Sequence, residues 1–219
     1  MNHQLSASWP VVLSIAGFDP SSGAGITADL KTLAAHGCYG VAAITALTIQ
    51  NTQGVSALYP TEPAVLKDTI AALFADGRVK AIKVGMLATR ANAEVVSEVL
   101  ESNPALPSVL DPIFRFSSGR DLADAACQEY LREQLIKRAS VITPNLFEAS
   151  AMTGLRVENL EAMKAAARKL GEMGARAVVV TVSSPITPTA PAAHFLPRSP
   201  PTWPWAATFA TPSYWPKPT

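Results

Sequence analysis

Residues 11–30 read VVLSIAGFDPSSGAGITADL, and this stretch decides the fold. Residues 11–15 are apolar and rich in β-branched side chains, and they lead into glycine, aspartate, proline and serine, which predicts a strand followed by a tight loop. Apolar residues then recur at helical spacing at Ile26, Leu30 and Leu33. The stretch therefore predicts strand, glycine-rich loop and helix, and such a loop can approach a small polar ligand closely.

Three glycines, Gly17, Gly23 and Gly25, lie in this loop. Their spacing matches neither the G-x-x-x-x-G-K-[ST] nor the G-x-G-x-x-G pattern of the common nucleotide-binding loops. The glycines alone indicate a close approach of backbone to ligand, and they do not identify the ligand.

Five further motifs follow the loop: ADLKT at 28–32, ITALTIQNT at 44–52, KVGML at 83–87, VLDP at 109–112 and ITPNLFEA at 142–149. Together with IAGFDPSSGAG at 15–25, they resemble in content and order the motifs of the hydroxymethylpyrimidine/phosphomethylpyrimidine kinases of thiamine biosynthesis, in the ribokinase-like superfamily. The resemblance runs from about residue 11 to residue 181. It implies a three-layer α/β fold with a mainly parallel central sheet, and transfer of the γ-phosphoryl group of ATP to a small pyrimidine.

Composition is consistent with one α/β domain. The chain has 219 residues, of which 48% are hydrophobic and 16% charged, and its net charge of +1 gives no sign of a nucleic-acid or anionic-membrane surface. The two cysteines, Cys38 and Cys127, are too few for a disulfide framework, and no signal peptide or transmembrane stretch is evident. We therefore expect a cytoplasmic enzyme with a small-molecule substrate, a homodimer as its assembly, and no nucleic-acid or membrane partner.

Strand-like and helix-like segments alternate along the chain. We predict strands at 11–15, 39–47, 81–84, 108–110, 141–142 and 177–181, and helices at 25–36, 62–76, 90–102, 121–137, 146–153 and 159–174. This alternation is typical of βαβ units around a parallel sheet. Residues 1–10 are expected to be an N-terminal extension, and residues 11–181 the kinase domain.

The composition changes abruptly after residue 181. Ten of the 18 prolines lie in 182–219, a segment without Asp, Glu or Gly. Proline at this density prevents regular helices and interior strands, so an irregular tail is expected. We interpret it as the product of a frame-shifted or mis-predicted gene end, because the resemblance stops at one residue; a proline-rich recognition tail is the alternative.

The first group of candidate site residues would face the pyrimidine. The resemblance puts the backbone of Gly17 against the substrate, has Gln50 bind the aminopyrimidine edge and has Met86 pack on the ring, while Ile113 lines the pocket. Asp19 is included as a substrate-binding candidate that can orient its loop through an Asx-turn. The residues alone favour a surface glutamine at a strand end for Gln50 and a core methionine for Met86.

The second group would face ATP and Mg²⁺. Asp111 follows a predicted strand, where a carboxylate can hold Mg²⁺ near phosphates, and Glu148 of the N-x-x-E motif is the other metal candidate. Asn145 and Thr181, with Asp111, are the candidates for nucleotide or phosphate contact. The alternatives are a turn-initiating aspartate before proline at Asp111 and a helix-capping pair at Asn145 and Glu148.

One expected motif is missing. The resemblance implies a Gly-Thr-Gly-Cys or Gly-Thr-Gly-Asp loop that binds the transferring phosphate and supplies the proposed base, and no glycine follows Gly174. We therefore assign no catalytic residue, expect a fold truncated at its C-terminal end, and expect impaired phosphoryl transfer. The alternatives are a non-catalytic pyrimidine-binding protein, a non-functional fragment or, within the enzyme class, a pyridoxal kinase.

Overall fold

The computed structural model describes residues 9–51, 54–114 and 122–182. Its strands are β1 (Val11–Phe18), β2 (Tyr39–Asn51), β3 (Gly54–Pro60), β4 (Val79–Val84), β5 (Ser108–Leu110) and β6 (Val141–Ile142). Its helices are α1 (Gly25–Ala35), α2 (Pro63–Ala75), α3 (Arg90–Ser102), α4 (Ala125–Glu133), α5 (Leu146–Thr153) and α6 (Leu160–Glu172). No helix in these described ranges is both long and apolar enough to cross a membrane.

The strands form one six-stranded sheet in the order β3-β2-β1-β4-β5-β6. All neighbouring pairs are parallel except β2 with β3, which are antiparallel. From the central strand β1, the chain first adds β2 on one side and later β4 on the other. The ends of β1 and β4 therefore form a topological switch point, which is where open α/β sheets bind ligands.

Successive side chains of β1 point to opposite faces of the sheet, and they show which helices cover each face. The Ser14 hydroxyl donates a hydrogen bond to Asp29 of α1, so this face of the sheet carries α1. Leu13 and Ile15 point to the opposite face, where they belong to the main hydrophobic core with residues of α2 and α3. The sheet thus lies between helices on both faces, and the predicted three-layer α/β fold with a mainly parallel sheet is confirmed.

The secondary-structure prediction was wrong in several places, beginning with β1 and β4, which are longer than predicted. The strand β3 was not predicted, and β2 continues past residue 47 because its last residues pair with β3. The helix predicted at 121–137 is shorter: Asp124 accepts a hydrogen bond from the Cys127 amide and caps α4, and a separate 3-10 turn covers Leu135–Lys137. An N-cap has non-helical backbone, so α4 cannot extend through Asp124.

The segment predicted as a strand at 177–181 runs beside β6 without forming a full ladder. Isolated parallel bridges join Ile142 to Val178 and Asn145 to Thr181, and the Val179 amide donates to the Ile142 carbonyl at 2.9 Å. Most of the predicted N-terminal extension, and the tail from residue 183 onward, lie outside the described residues.

Candidate functional site

Gly17 and Met86 meet at the switch point between β1 and β4. The register of β1 against β2 shifts between Ala16 and Phe18, which places Gly17 at a bulge. A Cβ on Gly17 would collide with the Met86 methyl group, so the methionine lies directly on the glycine backbone. Glycine at 17 leaves the room that this side chain occupies, and a Cβ there would displace the flexible end of Met86.

An apolar wall surrounds this contact. Met86 is 6% exposed and forms a small cluster with Ala46, Ala88 and Leu122, against which Leu58 and Ile113 pack. Ile113 follows β5, so three neighbouring regions of the sheet contribute to one surface. A wall of this kind suits the face of a flat ring, because ligand pockets are mostly apolar with a few polar groups.

Gln50 is tied to the end of β1 through Thr48. The Thr48 hydroxyl lies 2.8 Å from the Phe18 carbonyl oxygen and 3.0 Å from the Gln50 Oε1, and its single hydrogen is shared between these two acceptors. Gln50 is half-buried on the part of β2 that pairs with β3. Because Thr48 holds Oε1, the side-chain amide of Gln50 has a fixed orientation. An oriented carboxamide can recognise a ring edge that both donates and accepts hydrogen bonds. We call Gly17, Gln50, Met86 and Ile113 the apolar half of the site.

Asp19 holds the glycine loop and makes its hydrogen bonds within it. Its Oδ1 accepts from the Ser21 amide and hydroxyl, both at 2.7 Å, and its Oδ2 accepts from the amides of Gly23 and Ala24 at 3.0 and 2.9 Å. The side chain is 4% exposed. The Asx-turn interpretation is therefore confirmed by the geometry, and Asp19 supports the loop beside the apolar half.

Asp111 follows β5 and lies near a chain of polar groups. Lys83 donates to Asp29 at 2.9 Å, and Ser14 donates to the same oxygen at 2.6 Å. Burial raises the pKa of Asp111 above its usual range; the nearby Lys83 ammonium and a hydrogen bond from Thr143 lower it, and the Asp29 charge raises it. Asp111 is thus a carboxylate that burial penalises when it is ionised.

Glu148 and Asn145 form a complete capping box at the start of α5. The Asn145 side chain accepts from the Glu148 amide, and the Glu148 carboxylate accepts from the Asn145 amide, each at 2.9 Å. Glu148 is 4% exposed, and burial raises its pKa to about 7, with the charge of Asp111 adding to the rise and hydrogen bonds from the Asn145 and Phe114 backbones opposing it. The predicted capping alternative is therefore confirmed.

Thr181 lies next to this box. Its amide donates to the Pro144 carbonyl at 2.9 Å, and it pairs with Asn145 in a parallel bridge. We call Asp111, Asn145, Glu148 and Thr181 the acidic half of the site.

The carboxylate oxygens of the acidic half suit an Mg²⁺ ion that also binds phosphate oxygens. Within 9–51, 54–114 and 122–182, no group of three or more His, Cys, Asp or Glu side chains is arranged to hold a metal ion. Mg²⁺ differs from most metals in taking one or two carboxylates together with phosphate oxygens and water. Asp111 and Glu148 fit that use, because Asp111 is half-buried, Glu148 is buried, both have a raised pKa, and a cation would relieve the penalty of ionising them.

Sequence reasoning assigned no role to the Lys83–Asp29 pair. The two residues are far apart in the chain and meet because α1 packs on β1, whose neighbour in the sheet is β4. One signal was present: Lys83 follows Ala81 and Ile82 in an apolar strand, and a charge in such a strand needs a partner.

The chain is similar to several known kinases. The profile of the phosphomethylpyrimidine kinase family matches residues 19–191. The hydroxymethylpyrimidine/phosphomethylpyrimidine kinase of Aquifex aeolicus is 45% identical over 170 residues, which are 78% of this chain and 67% of that protein.

Solved structures agree with this match. The phosphomethylpyrimidine kinase of Clostridium difficile superimposes with a TM-score of 0.73 at 38% identity, over 78% of this chain and 74% of that one. The Staphylococcus aureus pyridoxal kinase in complex with pyridoxal superimposes with a TM-score of 0.71 at 34% identity, over 79% of this chain and 63% of that one. On the profile match and the identity to the Aquifex protein together, the chain belongs to the phosphomethylpyrimidine kinase family.

Proposed function

We propose that this polypeptide provides the substrate-binding and magnesium-binding parts of an ATP-dependent kinase that phosphorylates 4-amino-5-hydroxymethyl-2-methylpyrimidine and its monophosphate in thiamine diphosphate biosynthesis. The observation that carries the proposal is the packing of Met86 on Gly17 at the switch point, with Ile113 in the same apolar wall. The names of relatives support the substrate class, including that of a chloroplastic thiamine biosynthetic bifunctional enzyme from Arabidopsis thaliana, 40% identical over 172 residues, which are 78% of this chain and 33% of that protein.

In the proposed complex the pyrimidine ring lies against Met86 and Ile113. The Gln50 amide binds the ring edge, and the missing side chain at Gly17 leaves room for Met86 next to the ring, with the Gly17 backbone close by. Asp19 keeps the loop at residues 21–24 in place by accepting its hydrogen bonds. These residues bind and orient the substrate, which brings its hydroxymethyl group toward the acidic half.

Asp111 and Glu148 would hold Mg²⁺ there, with Asn145 and Thr181 close to the nucleotide phosphates. The ion would neutralise charge on the phosphate oxygens during transfer. Structures of the Staphylococcus aureus pyridoxal kinase with ADP and with AMP-PCP support ATP as the phosphoryl donor.

Turnover by the 219-residue polypeptide is proposed to be low. No glycine follows Gly174, so the polypeptide does not supply a glycine-rich loop for the transferring phosphate. Each positioned donor of that kind commonly lowers the reaction barrier by about 3 kcal/mol. Binding the pyrimidine does not replace them, because ground-state binding alone does not lower the chemical barrier.

A phosphoryl-transfer assay with ATP, Mg²⁺ and the hydroxymethylpyrimidine tests this proposal. The 219-residue protein should form product near the background rate, while a version whose residues from 182 onward are replaced by a family-type segment with a Gly-Thr-Gly-Cys loop should turn over. Equal turnover from both would contradict the assigned defect, and no activity in the replaced version would contradict the kinase assignment.

Pyridoxal is the second candidate substrate, because the similar solved structures include pyridoxal kinases at 33–35% identity. The replaced version would be assayed with both rings at equal concentration. We expect the pyrimidine to have the higher kcat/KM, and a preference for pyridoxal would reassign the substrate.

A further inference from the structure

The connection between β4 and α3 contains a strained residue beside the apolar half. Ala88 has φ of +67°, the left-handed region that side chains other than glycine rarely adopt, and it is 4% exposed. Strained backbone of this kind persists only where the surroundings hold it in place, and it is concentrated at functional sites. Met86 lies two residues earlier, so whatever holds the connection also fixes Met86.

Two buried polar side chains hold it. The Thr45 hydroxyl of β2 donates to the Met86 carbonyl at 2.6 Å. The side-chain NH₂ group of Asn92, in α3, donates to the Thr45 carbonyl at 3.1 Å and to the Leu87 carbonyl at 3.3 Å. These bonds join a strand, the connection and a helix through groups from which water is excluded, since Thr45 and Asn92 are both 0% exposed.

Asn92 makes the folded state less stable than an apolar residue at this position would. Its Oδ1 is buried without a hydrogen-bond partner among the described residues. A buried acceptor without a donor destabilises the folded state, and an apolar residue on the inner face of α3 would avoid that cost. Residues that break a local rule in this way are expected where function requires them.

We propose that Thr45 and Asn92 form a buried clamp that fixes Met86 over Gly17, and that the clamp thereby determines how tightly the apolar half binds a flat pyrimidine ring. The proposal rests on the proposed function for its ligand. Thr45 and Asn92 are positioning residues, because they act on the ring through the backbone of Met86 and do not touch it.

The chain offers a matched control on the same helix. Ser97 is 2% exposed, and its hydroxyl is also buried without a partner in the part of the chain that the structure describes. Ser97→Ala therefore removes a buried polar group from α3 without touching the clamp. Thr45→Val keeps the shape of the side chain and removes only the donor to Met86.

The first measurement is calorimetric titration of the full 219-residue chain with 4-amino-5-hydroxymethyl-2-methylpyrimidine. Thr45→Val, which loses one buried hydrogen bond, and Asn92→Ala, which loses two, should each weaken binding at least about tenfold, while Ser97→Ala stays within about twofold. If Asn92→Ala does not fold, Thr45→Val decides. Unchanged affinity in folded Thr45→Val overturns the proposal, and so does an equal loss in Ser97→Ala.

The second measurement does not need a ligand. The five methionines, labelled with ¹³C at the methyl group, give separate NMR signals, and Met86→Leu assigns the one of interest. Thr45→Val should shift or broaden the Met86 signal and leave that of Met152, in the main core, unchanged. An unchanged Met86 signal overturns the clamp. If the wild type does not bind the pyrimidine, the proposed function fails, and this signal alone decides whether the clamp exists.

Discussion

The loop after β1 makes its hydrogen bonds within itself. In the acidic half, by contrast, hydrogen bonds only partly offset the effect of burial on the carboxylates. Asp19 is 4% exposed and receives hydrogen bonds from three amides and a hydroxyl. Glu148 is equally buried, yet burial dominates and its pKa is raised to about 7. The two carboxylates differ in the number of donors around them.

The apolar half is therefore a preformed surface, whereas the acidic half needs a ligand. The apolar half is held by backbone and side-chain contacts that do not change with pH. The acidic half has a buried carboxylate, Glu148, and a half-buried one, Asp111, whose charge adds to the rise in the pKa of Glu148, so this half needs a proton or a cation. The following predictions test this contrast, beginning with the largest expected effect.

Gly25→Ala should destabilise the glycine loop most strongly. Gly25 has φ of +58°, and a Cβ there would collide with the Gly17 carbonyl oxygen, so both strain and clash oppose the side chain. We expect the free energy of unfolding to fall by about 4 kcal/mol in urea denaturation.

Gly77→Ala is the matched control for this prediction. Gly77 has a similar φ of +65°, and no atom of the described residues outside its immediate surroundings in the chain lies within 4 Å of the position that an alanine Cβ would take. The substitution should cost only about 1 kcal/mol, the usual penalty for the left-handed conformation. Equal losses in the two variants would show that Gly25 does not need to approach Gly17.

Glu148→Gln should remove a pH dependence of stability. Because the folded carboxyl has its pKa raised from 4.5 to about 7, protonation favours the folded state, and wild-type stability should fall as pH rises from about 4.5 to about 7. The rise in pKa corresponds to about 3 kcal/mol, and Gln keeps an acceptor for the Asn145 amide. Unfolding measured at pH 4.5 and pH 8 checks this.

Mg²⁺ provides the counterpart of that measurement. At pH 8 it should recover part of the lost stability in the wild type and none in Glu148→Gln. A wild type that is as stable at pH 8 as at pH 4.5 would contradict the description of the acidic half.

Asp19→Asn should cost about 2 kcal/mol of stability, because the new NH₂ group would face the amides of Gly23 and Ala24. Asp124→Asn is its control: Asp124 caps α4 through the Cys127 amide, and Asn caps as well as Asp, so the loss should stay below about 0.5 kcal/mol. Thermal unfolding of both variants would distinguish the two roles, and a similar small loss in both would mean that the loop does not depend on Asp19.

Lys83→Met should have the smallest effect within the site, about 1–2 kcal/mol, because it breaks a partly buried pair with Asp29 and removes a cation that lowers the pKa of Asp111. Lys67→Met breaks a pair with Glu98 in which both side chains are 62% exposed, and should change stability by less than about 0.5 kcal/mol. Urea denaturation of both variants measures the difference, and equal losses would mean that Lys83 is an ordinary surface lysine.

The sequence predicted those elements whose signals are local. The bounds of α3 and α5 were predicted correctly because Thr89 and Asn145 provide capping side chains immediately before each helix. The residues of the apolar half were predicted from the family resemblance, and the structure brings Gly17, Met86 and Ile113 together.

Features that depend on distant pairing were not predicted. β3 exists because it pairs with the end of β2, and its own sequence, GVSALYP, has little strand character. The Lys83–Asp29 pair and the bonds from Thr45 and Asn92 likewise join elements far apart in the chain. Such contacts follow from the sheet order, which no local pattern specifies.

The central claim is that the apolar half binds an aminopyrimidine through Gln50, and calorimetric titration of the 219-residue protein with 4-amino-5-hydroxymethyl-2-methylpyrimidine tests it most directly. Gln50→Ala should weaken binding by about 1–3 kcal/mol, because the ring edge loses its partner. Gln134→Ala, at a glutamine that ends α4 and is also half-buried, should leave binding unchanged. Equal affinity of wild type and Gln50→Ala, or no binding by the wild type, would contradict the account.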